Sequence, residues 1–204
     1  MKRLHRRDLY CWSVFQEPHD LDFNGFAWIR PGGNVLVDPM AMSAHDREHL
    51  RALGGASIIV ITNSYHTRAT IELAAKLDAR VYGPRAEREH LRVPCERWLG
   101  RGDEVVPGIV VEEMDGSKTP GELALVLEET TLITGDLIRG HAGGALNLLP
   151  DEKLRDPPAA RASVRRLAEA HPRISEVLVG DGWCLFGGGA AELRRIAADR
   201  ANGS

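Results

Sequence analysis

The first third of the chain alternates between strand-like and turn-like segments. Residues 9–15 and 23–30 are rich in aromatic and β-branched side chains, which is typical of strands. The turn Pro31-Gly32-Gly33 leads into a third such run at residues 34–38. The pattern therefore predicts a β-meander at the start of the chain.

Helices and strands then alternate. Ser43 can cap a helix that ends before Gly54-Gly55, and the continuous apolar run 57–62 is typical of a strand buried on both faces. Apolar residues at helical spacing predict a second helix over residues 67–77, followed by a short strand at 79–82. Pro84 can start a further helix that ends near His90.

After Cys95 the chain returns to strands and then closes with helices. Turn residues separate the predicted strands, and two predicted helices flank one more buried strand. The strands are predicted at 104–106, 109–113, 122–127, 131–134 and 176–179, and the helices at 158–170 and 190–201. Two β-rich halves, each backed by helices, predict a four-layer sandwich formed by one domain over residues 1–204.

Composition narrows the classes of function. The formal net charge is -3, with basic and acidic residues spread through the sequence, so we expect no nucleic-acid partner and no membrane partner. No secretion signal or membrane-spanning stretch is visible, and the three cysteines form no C-x-x-C pair. We therefore predict a cytoplasmic protein. The sequence is compatible with a small-molecule ligand and with a homo-oligomer.

Four segments, taken in order, resemble the landmarks of the metallo-β-lactamase superfamily. Residues 23–29 leading to 35–39 resemble its opening hairpin, and the strand ending at Thr62 precedes the place of its T-H-x-H-x-D-H metal motif. Residues 117–122 are similar to its G-H-T-P-G-S segment, and residues 179–182 to its final P-G-H-G turn. The resemblance implies an α/β fold, the four-layer αββα sandwich of that superfamily, and a hydrolase-like site.

The metal ligands of that superfamily are mostly replaced in this chain. Only Asp136, at the position of the aspartate that bridges both metal ions, is unchanged. The other positions, in chain order, are occupied by Asn63, Tyr65, Thr67, Arg68, Lys118 and Asp181. Protonated Arg68 and Lys118 offer no lone pair to a cation, so the resemblance implies a degenerate site.

The charges at these positions suggest what replaces the metals. Two buried carboxylates, Asp136 and Asp181, need counter-charge, which Arg68 and Lys118 can supply. We therefore predict an ion cluster without a metal cofactor, in a pseudoenzyme or small-molecule binder. The rim of this pocket is predicted to include Arg139, His141 and Trp183, with residues 139–144 forming a flexible loop.

Three other interpretations stay open. His66, together with Asp136 and Asp181, forms a donor set acceptable to one Zn, Mn or Fe ion, which would serve a hydrolase of an ester, thioester or phosphodiester. The alignment, however, directs His66 away from the ligand positions. His66 is also a candidate for a metal-free general base with Tyr65 as hydrogen-bond donor, and the last interpretation is a structural or dimerisation module.

Overall fold

The computed structural model describes residues 1–199 of the chain. Most of its strands belong to two facing sheets, and the four helices cover their outer surfaces. The end of the last predicted helix, at residues 200–201, lies outside the described residues. Within residues 1–199, no helix combines the length and the apolar character needed to cross a bilayer.

The first sheet has seven strands in the order of the sequence, β1 to β7. The first four strands pair antiparallel, as the predicted meander requires, and β4 to β7 pair parallel. Their bounds are β1 Lys2–Arg3, β2 Leu9–Gln16, β3 Leu21–Trp28, β4 Val35–Val37, β5 Ile58–Val60, β6 Arg80–Pro84 and β7 Arg97–Leu99.

The second sheet has six strands in the order β15-β14-β11-β10-β9-β8, and a separate two-stranded hairpin is formed by β12 and β13. Strands β11 and β14 are parallel neighbours. The bounds are β8 Glu104–Val106, β9 Ile109–Met114, β10 Glu122–Leu127, β11 Thr131–Thr134, β12 Ile138–Ala142, β13 Ala145–Leu148, β14 Glu176–Val179 and β15 Leu185–Phe186.

Four helices complete the outer layers. They are α1 Ala44–Ala52, α2 Thr70–Leu77, α3 Pro157–Ala170 and α4 Gly189–Ala198. Ser43 caps α1, as predicted, by accepting a hydrogen bond from the backbone amide of Asp46. Asp156 caps α3 in the same way.

Alternating side chains build three apolar layers. Val35 and Val37 point into the space between the sheets, where they meet Leu123 and Leu125 from β10. Leu36, between them, points outward into the layer that packs against α1 and α2. The second sheet packs its other face on α3 and α4. The predicted αββα sandwich is therefore confirmed.

Two local predictions are corrected. The helix predicted from Pro84 is only the short 3₁₀ turn Arg85–Glu87, because the carboxylate of Glu87 is buried and held by two other loops. The segment predicted as a flexible rim loop is the β12–β13 hairpin, in which Arg139 pairs with Asn147. Gly144, with a φ of 77°, makes the tight turn of this hairpin.

Candidate functional site

A cavity of about 720 Å³ opens where the carboxyl ends of four parallel strands meet. Asp38 follows β4, the loop 61–69 follows β5, Asp136 follows β11, and Asp181 follows β14. The lining combines charged and apolar side chains. It consists of Gln16, His19, Leu21, Phe23, Met40, Ala41, Tyr65, His66, Arg68, Ala69, Glu72, Lys118, Asp136, Arg139, His141, Leu149, Lys153 and Asp181.

His66 occupies the centre of the cavity floor and is 3% exposed. Its Nδ1 lies 2.7 Å from Oδ2 of Asp38. The Asp38 carboxylate also accepts from Thr62, whose backbone amide donates to Oδ1 and whose hydroxyl donates to Oδ2. Its Nε2 lies 3.4 Å from Oδ1 of Asp136. The imidazole is thus held between two carboxylates.

This environment favours the charged imidazolium. Burial, the largest single effect, lowers the pKa of His66, and the charge of Arg68 lowers it further. The charge of the Asp38 carboxylate and the hydrogen bonds to Asp136 and Asp38 together outweigh these two effects. The result is a pKa of about 9 for His66. For Asp136, burial acts to raise the pKa, but His66 and Lys118 hold it well below its ordinary value. At neutral pH, His66 and Asp136 therefore form an ion pair at the floor of the cavity.

Arg68 lies beside this pair and contacts several segments. Its Nη1 donates to the carbonyls of Asn24, at 2.6 Å, and Asp38, at 3.1 Å, and its Nη2 donates to the carbonyl of Gly180 at 3.4 Å. The same Nη2 is 3.2 Å from Nε2 of His66. The guanidinium group therefore fills the space in front of Nε2, the nitrogen of His66 that is not bound to Asp38.

Asp181 is flanked by two arginines without a direct hydrogen bond to either. Its Oδ1 is 3.8 Å from Nη2 of Arg68, and its Oδ2 is 3.7 Å from Nε of Arg139. The Oδ1 atom is buried and has no hydrogen-bond partner among the described residues. Arg139 instead donates from Nε to Nε2 of His141 at 3.0 Å. Asp181 thus keeps a buried acceptor without a donor beside the cavity.

Lys118 supplies the remaining positive charge near the floor. Its Nζ is 3.4 Å from Oδ2 of Asp136 and 3.9 Å from the centre of the Tyr65 ring. The Lys118 side chain is 32% exposed, and the Tyr65 ring stands at the mouth of the cavity. Lys118 therefore has donors available to a molecule that enters from solvent.

Most of the residues predicted from the sequence come together here. Tyr65, Arg68, Lys118, Asp136, Asp181, Arg139 and His141 all line the cavity. Asn63 lies beneath the lining and donates to Oδ2 of Asp136 at 3.3 Å. Thr67 and Trp183 do not line it.

Each of these two exceptions has a local reason. The carbonyl of Thr67 accepts from the amide of Thr70 in the turn before α2. The backbone of Trp183 is fixed against Gly140 by an amide-to-carbonyl bond of 2.8 Å, which leaves the indole 59% exposed. The alignment that directed His66 away from the ligand positions is corrected as well, because its hydrogen bond to Asp38 turns the ring inward.

Three buried carboxylates support the site although the sequence predicted no role for them. They are Asp38, Glu87 and Glu122. Glu87 accepts from the amide of Ser64 and the hydroxyl of Thr119, and so joins two of the loops around the cavity. Asp38 follows a parallel strand at the same sheet edge as the loop 61–69, and this placement was the signal available in the sequence.

Glu122 lies next to the charged floor. It accepts from the hydroxyl of Ser117 and the amide of Leu137. Burial, followed by the negative charge of Asp136, raises the pKa of Glu122 to about 8.

The two-metal centre implied by the resemblance does not fit these residues. Asn63, Tyr65 and Thr67 replace good ligands, and Arg68 and Lys118 place positive charge among the remaining donors. His66, Asp136 and Asp181 do have ligand atoms within 4.8 Å of one another. The guanidinium of Arg68, however, lies 3.2 Å from His66 and 3.8 Å from Asp181, and the ammonium of Lys118 lies 3.4 Å from Asp136.

Solved structures share this fold over nearly the whole chain. A metallo-beta-lactamase from Pontibacter korlensis superposes with a TM-score of 0.75 and 14% identity over 97% of this chain and 98% of its own. The DIM-1 metallo-beta-lactamase gives a TM-score of 0.74 and 18% identity over 94% and 92% of the two chains. FIM-1 from Pseudomonas aeruginosa, in a mono-zinc form, gives 0.70 and 15% over 93% and 89%.

Comparison of sequences supports the same relationship. No curated protein matches this chain. The family model described as the metallo-beta-lactamase superfamily matches residues 1–200, which is nearly its full length. The chain belongs to the metallo-β-lactamase superfamily.

Proposed function

We propose that this protein is a metal-free member of its superfamily that binds a small molecule in the cavity. The observation that carries the proposal is the position of Arg68, whose Nη2 is 3.2 Å from Nε2 of His66. A zinc ion bound to an imidazole sits about 2.0–2.1 Å from the nitrogen, so it would compete for the space that the guanidinium occupies. The arginine takes the place of the cation.

Displacing Arg68 would carry a large penalty. The guanidinium would lose its hydrogen bonds to the carbonyls of Asn24, Asp38 and Gly180, and those buried acceptors would lose their donor. Lys118 would also have to leave Asp136 or share it with a divalent ion. These contacts support the interpretation that the charged side chains stabilise one another without a metal ion.

Metal content and thermal stability test this proposal. The protein, purified without added metal, is analysed for zinc, manganese and iron and then melted with and without EDTA. We expect far less than one ion per chain and an unchanged Tm, because basic side chains already neutralise the carboxylates that would hold a metal ion. One tightly held ion per chain, together with a Tm that falls in EDTA, contradicts the proposal.

A hydrolase with one metal ion is the second candidate. It is favoured by the donor set His66, Asp136 and Asp181 and by the buried Oδ1 of Asp181, which has no hydrogen-bond partner among residues 1–199. FIM-1, which shares the fold, is described in a mono-zinc form. The substrate of such a one-metal hydrolase would be an ester, a thioester or a phosphodiester.

The variant His66→Gln separates the two candidates. If one ion binds through His66, this variant loses the ion, whereas in the metal-free protein it changes stability without changing metal content. A protein that holds neither an ion nor any small molecule would instead favour the structural or dimerisation module. Light scattering, which measures the mass of the assembly, then tests for the dimer.

A further inference from the structure

The cavity and its rim carry more positive than negative charge. The charged groups fall into two sets that face one another at short range. The arginine and lysine cations are Arg68, Lys118 and Arg139, and the carboxylates are Asp38, Asp136 and Asp181, two of which hold His66 between them. Lys153 adds a further cation at the rim, whereas Glu72 is already paired with Lys76 on α2. An anionic group would balance this surplus.

The buried acceptor of Asp181 adds a second requirement. Its Oδ1 has no hydrogen-bond partner within the described chain although Asp181 lines the cavity. A buried charged acceptor without a donor is costly, and a ligand that donates a hydrogen bond to the Asp181 carboxylate would offset part of that cost. Because Arg68 and Arg139 already flank Asp181, a neutral hydroxyl fits this position better than another cation.

The walls supply an apolar surface. Leu21, Phe23, Met40 and Leu149 line the cavity, and the Tyr65 ring stands at its mouth. A volume of about 720 Å³ is within the range of cavities that enclose small organic molecules. A ligand with an apolar carbon skeleton would therefore bury it against these side chains.

We propose that the cavity binds a small hydroxy acid with an apolar skeleton. Its carboxylate contacts Lys118 and Lys153, its hydroxyl donates to the carboxylate of Asp181, and its skeleton packs on Phe23 and Leu149. The inference rests on the proposed function and names the class of ligand that the cavity would take.

Three related probes separate the contributions of these groups. Phenyllactate carries the carboxylate and the hydroxyl, hydrocinnamate lacks the hydroxyl, and phenylalanine replaces the hydroxyl with an ammonium group. Calorimetric titration should give phenyllactate about a tenfold lower Kd than hydrocinnamate, which is the effect of one hydrogen bond to a charged group. Phenylalanine should bind more weakly than phenyllactate because of the nearby arginines.

Variants locate the two contacts. In Asp181→Ala the ratio of the two Kd values, hydrocinnamate to phenyllactate, should fall to about one, because the acceptor is gone. In Lys118→Met both acids should bind about tenfold more weakly, since a charge contact is lost. Lys2→Met, on exposed β1, is the matched lysine control and should leave both affinities unchanged.

A more conservative substitution tests the same contact if Asp181→Ala does not fold. Asp181→Asn keeps the shape of the side chain, and its neutral amide oxygen is a weaker acceptor, so the ratio should fall only in part. Asp78→Asn, at the exposed end of α2, is its control and should keep the full ratio.

The outcomes of this experiment and of the metal analysis are distinguishable. If wild-type protein binds phenyllactate and hydrocinnamate equally, or binds neither, the hydroxy-acid inference is overturned while the metal-free proposal stands. If the wild-type ratio is unchanged in both Asp181 variants, the placement of the hydroxyl is overturned. A stoichiometric metal ion in the same preparation overturns the proposed function itself.

Discussion

Arg68 connects three separate segments through one side chain. Its guanidinium donates to carbonyls on β3, after β4 and after β14, and stacks over the ring of Phe23 with 5.4 Å between the guanidinium carbon and the ring centre. Its backbone has a φ of 37°, a left-handed conformation that is unfavourable for a residue with a Cβ. The contacts of the side chain therefore offset local strain in the turn before α2.

The substitution Arg68→Met should lower the free energy of unfolding by about 3–5 kcal/mol, because it removes one charge from a buried cluster and takes one donor away from three carbonyls. Urea denaturation at neutral pH measures this change. Arg194→Met, at an exposed position on α4, should change stability by less than about 0.5 kcal/mol. Equal effects of the two substitutions would contradict a structural role for the cluster.

Removing the positive charge should also make the floor attractive to a cation. In Arg68→Gln, the ligand atoms of His66, Asp136 and Asp181 remain within reach of one ion, and the repelling guanidinium is gone. We expect this variant to bind Co²⁺, detected by the visible absorption of the coordinated ion. Arg68→Lys keeps the charge and should show no such absorption, so absorption of equal strength in both variants would count against the electrostatic explanation.

At the scale of residues, the sequence could predict which side chains surround the cavity but not how they pair. Motif order alone places Lys118, Asp136 and Asp181 at loop ends, and all three line the cavity. The inward orientation of His66 depends on Asp38, which is 28 residues away in the chain. Contacts between distant loops follow from tertiary packing, which a local pattern does not encode.

At the scale of elements, buried carboxylates hold the ends of strands in place. Glu122, the first residue of β10, accepts from the Ser117 hydroxyl at 2.6 Å and from the Leu137 amide at 2.9 Å. These two contacts join the loop before β10 to the loop after β11. Asp136 and His66 are the charged groups that act on this carboxyl, and Asp136 has the larger effect.

The raised pKa of Glu122 predicts a pH-dependent stability. Its folded pKa is about 8 against an ordinary value of 4.5, so the folded protein holds a proton that the unfolded chain releases between these values. Its contribution to stability is fully present below pH 4.5 and is lost as the pH rises through about 8. Glu122→Gln should remove this dependence, on the order of 1–3 kcal/mol, while keeping the shape of the side chain.

Denaturation of both proteins from pH 5 to pH 9 measures the difference. His66 titrates in both, so its own effect on stability, which falls as the pH rises toward its pKa of about 9, largely cancels in the comparison. The advantage of Glu122→Gln over the wild type should grow with pH. Parallel curves would show that Glu122 does not change its protonation on unfolding.

The regular elements were predictable where periodicity is strong, and the irregular ones were not. The apolar strand β10, all of whose residues are buried, and the long amphipathic α3 were correctly predicted. The β12–β13 hairpin was missed because its sequence is polar and rich in glycine. It forms through a close approach in three dimensions, since a Cβ on Gly140 would lie 1.9 Å from the carbonyl oxygen of Trp183.

At the scale of the whole molecule, both sheets contribute to one apolar layer. Leu9, Phe26 and Val60 from the first sheet share this layer with Leu125 and Leu178 from the second. The cavity lies at the edge of the same interface, with Arg68 from one half and Asp181 from the other. Neither half keeps its inner face buried without the other, so the two halves should unfold together.

Two spectroscopic signals can test whether the two halves unfold together. Trp12, Trp28 and Trp98 belong to the first sheet, whereas the longest helix, α3, covers the second, so tryptophan fluorescence and far-ultraviolet circular dichroism report mainly on different halves. We expect both signals to change over the same range of urea concentration. Leu125→Ala, which removes a fully buried side chain from the shared layer, should shift both by the same amount, about 2–5 kcal/mol. Two separate transitions, or a shift in one signal alone, would mean that each sheet with its helices is an independent folding unit.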